Sequence, residues 1–146
     1  MALIKIGFVA RQQSESIRLA QMLIYQIECE GKGTVIFVDE DIALQLGRQG
    51  TSVAEMERQK VDFIVSVGGD GTILRTIHKM ADPAPLLGIN MGTLGFLVDV
   101  EPKDAIETLK RLLSGFDVDV RSRLKLLLNG VCLPRATNEI AFLTAS

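Results

Sequence analysis

The turn formed by residues 68–72 has the residue types that a phosphate-binding site uses. It combines three glycines with a carboxylate and a hydroxyl, in the order Gly68, Gly69, Asp70, Gly71 and Thr72. The glycines allow positive φ angles and the close approach of a ligand's phosphates. Because a carboxylate among groups that favour anions serves binding poorly, we predict that Asp70 acts as a base beside a bound phosphate. A tight turn alone would explain two glycines and an aspartate, but not the third glycine and the threonine.

The segments on either side of this turn predict a strand and a helix. The preceding run, 62–67, is apolar and rich in β-branched residues, as in a strand that is covered on both faces. The following segment, 72–80, has its apolar residues from Ile73 to Met80 on one helical stripe. A strand, a glycine-rich turn and a helix in this order direct free backbone N–H groups and the positive end of the helix at an anion.

The rest of residues 1–115 also alternates between predicted strands and helices. Strands are predicted at 3–10, 34–38, 62–67 and 86–90. Ser14 or Ser16 could cap the first helix, and Pro102 suits the first turn of the last one. The segment 39–60 has a weaker pattern, which predicts a loop and one or two short helices. This order predicts an α/β domain with a doubly wound, Rossmann-like parallel sheet.

Residues 116–146 have a different pattern, which predicts the beginning of a β-rich domain. Residues 116–121 alternate between apolar and polar, and Asn129-Gly130 between extended segments is a strong hairpin signal. A further strand is predicted at 139–143. Two or three antiparallel strands do not make a finished β domain, so we expect an incomplete second domain and a chain that is a fragment.

The composition disfavours several classes of partner. The 146 residues have a net charge of −2 and lack the basic stripe that nucleic-acid binding needs. Although 47% of them are hydrophobic, no apolar run reaches the ~18 residues of a membrane-spanning helix. Residues 1–9 fit a first strand better than a signal peptide. Cys29 and Cys132 have no paired spacing, so we expect free thiols in a reducing cytoplasm.

One cluster of carboxylates could suggest a metal site but is predicted not to form one. Asp39-Glu40-Asp41 is expected to form an exposed acidic loop. His78, the single histidine, is expected at the surface of a helix. No segment has the ligand spacing of a structural zinc site, so no protein ligand to a metal is assigned.

Two further segments extend the glycine turn into a longer pattern. Asn90-Met91-Gly92-Thr93-Leu94-Gly95-Phe96-Leu97 follows the strand predicted at 86–90, and Thr137-Asn138-Glu139 lies near the C-terminus. In this combination and order the three segments resemble the NAD kinases, particularly the archaeal and bacterial members, over nearly the whole chain. The resemblance implies an enzyme that transfers a phosphoryl group from ATP, or from polyphosphate, to the adenosine-ribose 2′-hydroxyl of NAD.

The resemblance also implies roles for residues of the turn and of the following helix. Asp70 matches the family's proton acceptor, which takes the proton of the 2′-hydroxyl as that oxygen attacks the terminal phosphate. Gly71 matches a position against the NAD, and the whole turn would face the phosphates of the donor. Arg75 matches a residue that contacts the dinucleotide, whereas by itself it would be a solvated helix residue.

Outside the turn, three more residues match positions that contact NAD in the family. Phe96 would lie along the adenine, although by itself it would more often be a core residue. Asn138 and Glu139 match a pair that hydrogen-bonds the NAD, with a polar loop as the plain alternative. The resemblance further implies Mg²⁺ bound with the ATP phosphates, a second β domain that contributes to the site, and a homo-oligomer.

Other functions remain open from the residues alone. A lipid kinase of the diacylglycerol or sphingosine type uses a similar turn, which usually continues into Asn-Glu, whereas Ile73-Leu74-Arg75 follows here. A phosphofructokinase is less favoured, because its motif usually ends in serine. A non-catalytic nucleotide-binding module is the alternative from a different class, since unpaired strand edges favour association. A P-loop kinase and a Rossmann oxidoreductase are disfavoured, because both glycine fingerprints are missing.

Overall fold

The centre of the molecule is a five-stranded parallel sheet. The computed structural model describes residues 2–30, 33–93, 95–98, 100–137, 140, 141 and 143. The strands are β1 (Ile4–Ala10), β2 (Thr34–Asp39), β3 (Gly50–Thr51), β4 (Phe63–Gly68) and β5 (Leu86–Asn90). Their order in the sheet is β3-β2-β1-β4-β5, so the strand order reverses between β1 and β4. The predicted doubly wound sheet is therefore confirmed.

Helices cover both faces of this sheet. They are α1 (Ser14–Cys29), α2 (Glu40–Ala43), α3 (Val53–Arg58), α4 (Asp70–His78) and α5 (Ala105–Leu112), with a 3₁₀ turn at Pro102–Asp104 before α5. Pro102 occupies the start of that turn, where its missing N–H costs no hydrogen bond. None of the helices that the structure describes is long and apolar enough to cross a membrane.

Alternating side chains of the central strands form two hydrophobic clusters. Every residue of β4 is buried, as the continuous apolar run predicts. Phe63 and Val65 belong to the larger cluster, which the apolar stripes of α1 and α5 complete. Ile64 points to the opposite face and joins a smaller cluster with Met56 of α3. This two-residue period is what a strand imposes on its side chains, so the sheet is packed on both sides.

Two local details differ from the sequence-based predictions. The short strand β3 was not predicted, because two residues carry no periodic pattern; Gly50 is needed there, since a Cβ would lie 2.8 Å from the Cα of Glu40. Neither Ser14 nor Ser16 caps α1: Gln13 is the N-cap residue and makes no side-chain cap hydrogen bond. Ser16 is instead buried, and its hydroxyl has no partner among the described residues.

The segment after α5 contains the hairpin that Asn129-Gly130 predicts. Strands β6 (Leu127–Leu128) and β7 (Val131–Cys132) pair in antiparallel register. Asn129 has a φ of 50° and Gly130 a φ of 78°, the two positive values that a type I′ turn requires. Leu124 and Ala136 extend the ladder with two backbone hydrogen bonds. The strand predicted at 139–143 falls largely on residues outside the described part of the chain.

Candidate functional site

Three segments meet at the carboxyl edge of the sheet where the strand order reverses. The backbone N–H of Arg11, after β1, donates to the carbonyl of Val67 at 2.9 Å. The N–H of Met91, after β5, donates to the carbonyl of Gly68 at 2.7 Å. These bonds fix the residues after β1 and β5 on either side of the glycine turn that follows β4. Ligands of open α/β sheets bind at such a reversal.

A small cleft of about 210 Å³ opens between these segments. The residues that line it are Arg11, Gly69, Asp70, Asn90, Gly92, Thr93 and Gly95. Pockets that take a whole drug-sized ligand measure about 300–1,000 Å³. The cleft therefore fits a polar fragment such as a phosphate group, rather than an entire dinucleotide.

The carboxylate of Asp70 is held in a fixed orientation by two backbone amides. The N–H of Phe96 donates to Oδ2 at 2.8 Å, and the N–H of Leu97 donates to Oδ1 at 3.0 Å. Asp70 is also the first residue of α4, where the helix dipole favours negative charge. Hydrogen bonds to a charged acceptor are about twice as strong as neutral ones, so the two amides hold the carboxylate firmly in this orientation. Each oxygen keeps acceptor capacity for a further donor.

Gly95 makes this orientation possible. A Cβ at position 95 would overlap Oδ1 of Asp70 and lie 2.7 Å from its Cγ, which is closer than real Cβ contacts approach. The loop therefore needs glycine at this position for its amides to reach the carboxylate. A role for Gly95 was not predicted from the sequence, since the close approach depends on how the loop folds back on α4.

The glycines of the turn are important because they lack side chains, not because they adopt unusual backbone angles. Glycine allows positive φ, but Gly68, Gly69 and Gly71 are not among the glycines with positive φ. Gly69 is extended at the N-cap, and α4 begins at the next residue. A Cβ at Gly68 would overlap the side chain of Thr72, whereas at Gly69 and Gly71 it would enter open space. The two latter glycines leave the N-terminus of α4 uncovered.

The remaining predicted residues lie in different surroundings. Thr72 is buried beneath the turn, and its carbonyl accepts a hydrogen bond from the Thr76 hydroxyl at 2.8 Å. Arg75 is exposed on α4 and is not part of the cleft lining. Phe96 is 98% exposed, which excludes the core alternative, and lies at a larger cavity of about 830 Å³ beside the C-terminal segment. Asn138 and Glu139 lie outside the described residues.

Arg11 and Asn90 are further residues of the cleft that were not assigned from the sequence. Asn90 shapes the loop: its Oδ1 accepts from the N–H of Gly92 at 3.0 Å, and its Nδ2 donates to the carbonyl of Thr93 at 3.1 Å. Arg11 directly follows β1, but it meets the glycine turn only because β1 and β4 are neighbours in the sheet. The signal that could have found Arg11 is a cation at a strand's carboxyl end.

The predicted acidic loop is only partly exposed. Asp39 ends β2 and is 2% exposed, while Glu40 begins α2 at the surface. Burial raises the pKa of Asp39, and the neighbouring Asp41 carboxylate adds to the shift. The prediction of exposure was wrong for Asp39 because the segment continues the sheet into a helix. Within the described ranges, no group of three or more His, Cys, Asp or Glu residues could hold a metal ion.

A doubly wound parallel sheet with a glycine turn and an uncovered helix N-terminus at its strand reversal defines a nucleotide-binding α/β domain. The sequence-family model that describes the ATP-NAD kinase N-terminal domain matches residues 6–116 of this chain. The chain therefore belongs to the NAD kinase family.

Similar proteins and solved structures support the assignment to this family. The chain is 49% identical to the NAD kinase of Methanosarcina barkeri over 146 residues, covering 99% of this chain and 52% of that protein. It is 43% identical to the NAD kinase of Thermococcus kodakarensis, covering 96% and 51%. The chain thus spans about half the length of these relatives.

Two crystal structures share the fold. An NAD kinase from Archaeoglobus fulgidus in complex with ATP aligns with a TM-score of 0.62 at 27% identity, over 88% of this chain and 45% of that one. Yeast NADH kinase complexed with NADH aligns with a TM-score of 0.77 at 20% identity, over 93% and 47%. The second likeness concerns the fold alone.

Proposed function

We propose that the protein carrying this chain transfers the terminal phosphoryl group of ATP to the adenosine-ribose 2′-hydroxyl of NAD, giving NADP and ADP. The observation that carries the proposal is the Asp70 carboxylate, held by the Phe96 and Leu97 amides at the uncovered N-terminus of α4. In the reaction the 2′-oxygen forms a bond to the terminal phosphorus, the bond from that phosphorus to ADP breaks, and the hydroxyl proton passes to Asp70. The Archaeoglobus fulgidus complex supports ATP as the donor.

The other site residues receive roles that extend this proposal. The turn 68–72 binds the donor phosphates through its backbone N–H groups, with Gly71 against the NAD. Arg75 contacts the dinucleotide from the exposed side of α4, and Phe96 stacks on the adenine. The near-complete exposure of Phe96 supports this role, because a flat apolar ring in solvent is available to a ligand. Asn138 and Glu139 hydrogen-bond the sugar of NAD.

The metal, the domain division and the assembly complete the proposal. Mg²⁺ would be held mainly by the ATP phosphates, and it would supply positive charge against the negative charge that develops during transfer. Residues 1–115 form the nucleotide-binding domain and 116–146 begin a β-rich one, whose contribution to the NAD site belongs to the longer protein. Cys29 and Cys132 are free thiols, which supports a cytoplasmic location. The homo-oligomer that the family resemblance implies is also part of the proposal.

The test is the formation of NADP from NAD and Mg-ATP, followed with an NADP-specific dehydrogenase. This chain would be compared with a version extended through the following domain. We expect turnover from the extended version, with Asp70→Asn lowering kcat by about 10²–10⁴-fold and changing the affinity for NAD far less. A loss confined to NAD affinity would remove Asp70 as the base.

A different result would change the assignment. If neither version makes NADP although both are folded, the activity on NAD is refuted and lipid alcohols become the next acceptors to assay. Nucleotide binding without turnover in the extended version would instead favour a non-catalytic module.

A further inference from the structure

Arg11 is a cation placed at the cleft by the sheet itself. It is the first residue after β1, and its backbone N–H is bonded to Val67 near the end of the neighbouring strand β4. A Cβ at Gly68 would lie 3.3 Å from the Cβ of Arg11. Because position 68 has no side chain, Arg11 can pack directly beside the turn. The arginine therefore occupies the wall of the cleft next to Gly69 and Asp70.

The guanidinium of Arg11 is oriented by a neutral partner. With the Gln13 amide turned so that its oxygen faces the arginine, that oxygen accepts from Nη2 at 3.1 Å and from Nε at 3.3 Å. A guanidinium has five N–H donors. The Gln13 contact uses two of them and leaves both hydrogens of Nη1 and one of Nη2 for another acceptor.

No carboxylate of the described residues neutralises the positive charge of Arg11. No ion pair joins it to a carboxylate within the described ranges, although Asp70 lines the same cleft. Asp70 is occupied by the amides of Phe96 and Leu97 instead. The cleft thus presents an exposed, oriented cation beside an uncovered helix N-terminus, and both favour an anion with several oxygens.

We infer that Arg11 binds the phosphoanhydride chain of the bound nucleotide, opposite the N–H groups of the glycine turn. The inference rests on the proposed function for the identity of the nucleotide. The geometry itself requires only a linear chain of phosphates, which both the ATP donor and the dinucleotide contain. A fork of free N–H groups matches two oxygens of such a chain, which an ammonium group cannot do in the same way.

The experiment measures binding to this chain by titration calorimetry, with tripolyphosphate, Mg-ATP and NAD as separate ligands. We expect Arg11→Gln to weaken tripolyphosphate binding about ten- to hundredfold and to make it less dependent on salt. Arg11→Lys should recover part of the affinity, because it keeps the charge and loses the fork. The matched control is Arg111→Gln, which removes an exposed arginine from α5 and should bind like the unsubstituted chain.

The three ligands of this experiment answer separate questions. A loss for Mg-ATP but not for NAD assigns Arg11 to the donor, and the reverse assigns it to the acceptor. Unchanged tripolyphosphate binding in a folded Arg11→Gln chain overturns the inference, and so does an unsubstituted chain that does not bind tripolyphosphate. NADP formation is assayed independently, so Arg11-dependent binding without NADP formation would refute the proposed acceptor and leave the phosphate contact standing.

Discussion

At the scale of single residues, the site depends on what surrounds Asp70 rather than on the aspartate alone. Its carboxylate is set by two amides that lie 26 and 27 residues further along the chain. Gly95 provides the space for those amides to approach. The glycine turn, Asp70 and the loop at 95–97 are therefore one structural unit. A substitution in the loop should change the orientation of the Asp70 carboxylate although the substituted residue is distant from Asp70 in sequence.

Gly95→Ala tests this coupling. The added Cβ would displace the Asp70 carboxylate from the Phe96 and Leu97 amides, so we expect the variant to lose about 1–3 kcal/mol in the free energy of unfolding, measured by urea denaturation, through these two hydrogen bonds. The matched change is Gly92→Ala in the same loop, whose Cβ would enter open space and should cost within about 0.5 kcal/mol. Equal stabilities for the two variants would mean that the loop adjusts freely and does not fix Asp70.

At the scale of elements, the strands and long helices were predictable because their patterns are long. The continuous apolar run of β4 and the stripe of α1 extend over one or more full periods, and both elements appear where the residues place them. The type I′ hairpin followed from Asn129-Gly130, since few sequences accept two positive φ angles. Strand β3 could not be predicted, because its two residues are held by packing against Glu40 and not by a pattern.

Helix caps were the least predictable feature, since a serine near a helix start can occupy any of several positions. Ser52 caps α3, accepting a hydrogen bond from the N–H of Glu55 at 3.2 Å. Ser14 is already the first residue of α1 and caps nothing. The same limit applies to the site: the residues of the turn were found from sequence, but Arg11 required knowledge that β1 and β4 are neighbours.

Replacing the two serines separates a true cap from an apparent one. Ser52→Ala should lower the free energy of unfolding by about 0.5–2 kcal/mol, because it leaves an N–H at the start of α3 without its partner. Ser14→Ala should change it by less than about 0.5 kcal/mol. Thermal and urea unfolding of both variants provide the measurement; a larger effect at Ser14 would contradict the assignment of Gln13 as the N-cap.

At the scale of the whole molecule, one buried carboxylate sets a pH dependence of stability. Asp39 is 2% exposed, and its Oδ1 has no hydrogen-bond partner among the described residues. Its pKa is raised by burial, so the folded chain holds this proton at pH values where the unfolded chain has released it. The contribution of Asp39 to stability is therefore greatest below its unfolded pKa and falls as the pH rises through its folded pKa.

Asp39→Asn should remove this dependence. The neutral amide has nearly the same shape and avoids the cost of a buried charge, so we expect the variant to be more stable than the unsubstituted chain at pH 7. The difference should shrink as the pH is lowered towards the unfolded pKa of the aspartate. Urea unfolding across this pH range checks the sign, and a variant that is destabilised at pH 7 would show that Asp39 is ionised and satisfied by a partner.

The two backbone-amide hydrogen bonds to Asp70 would couple the proposed proton transfer to the position of the loop at 95–97. Whenever residues 95–97 move away from α4, the carboxylate loses both donors together and is free to rotate about its side-chain bonds. If Asp70 is the base, as we propose, its orientation would then depend on the position of residues 95–97 as well as on the glycine turn. A substitution in that loop would lower the rate of proton transfer without altering any residue of the turn.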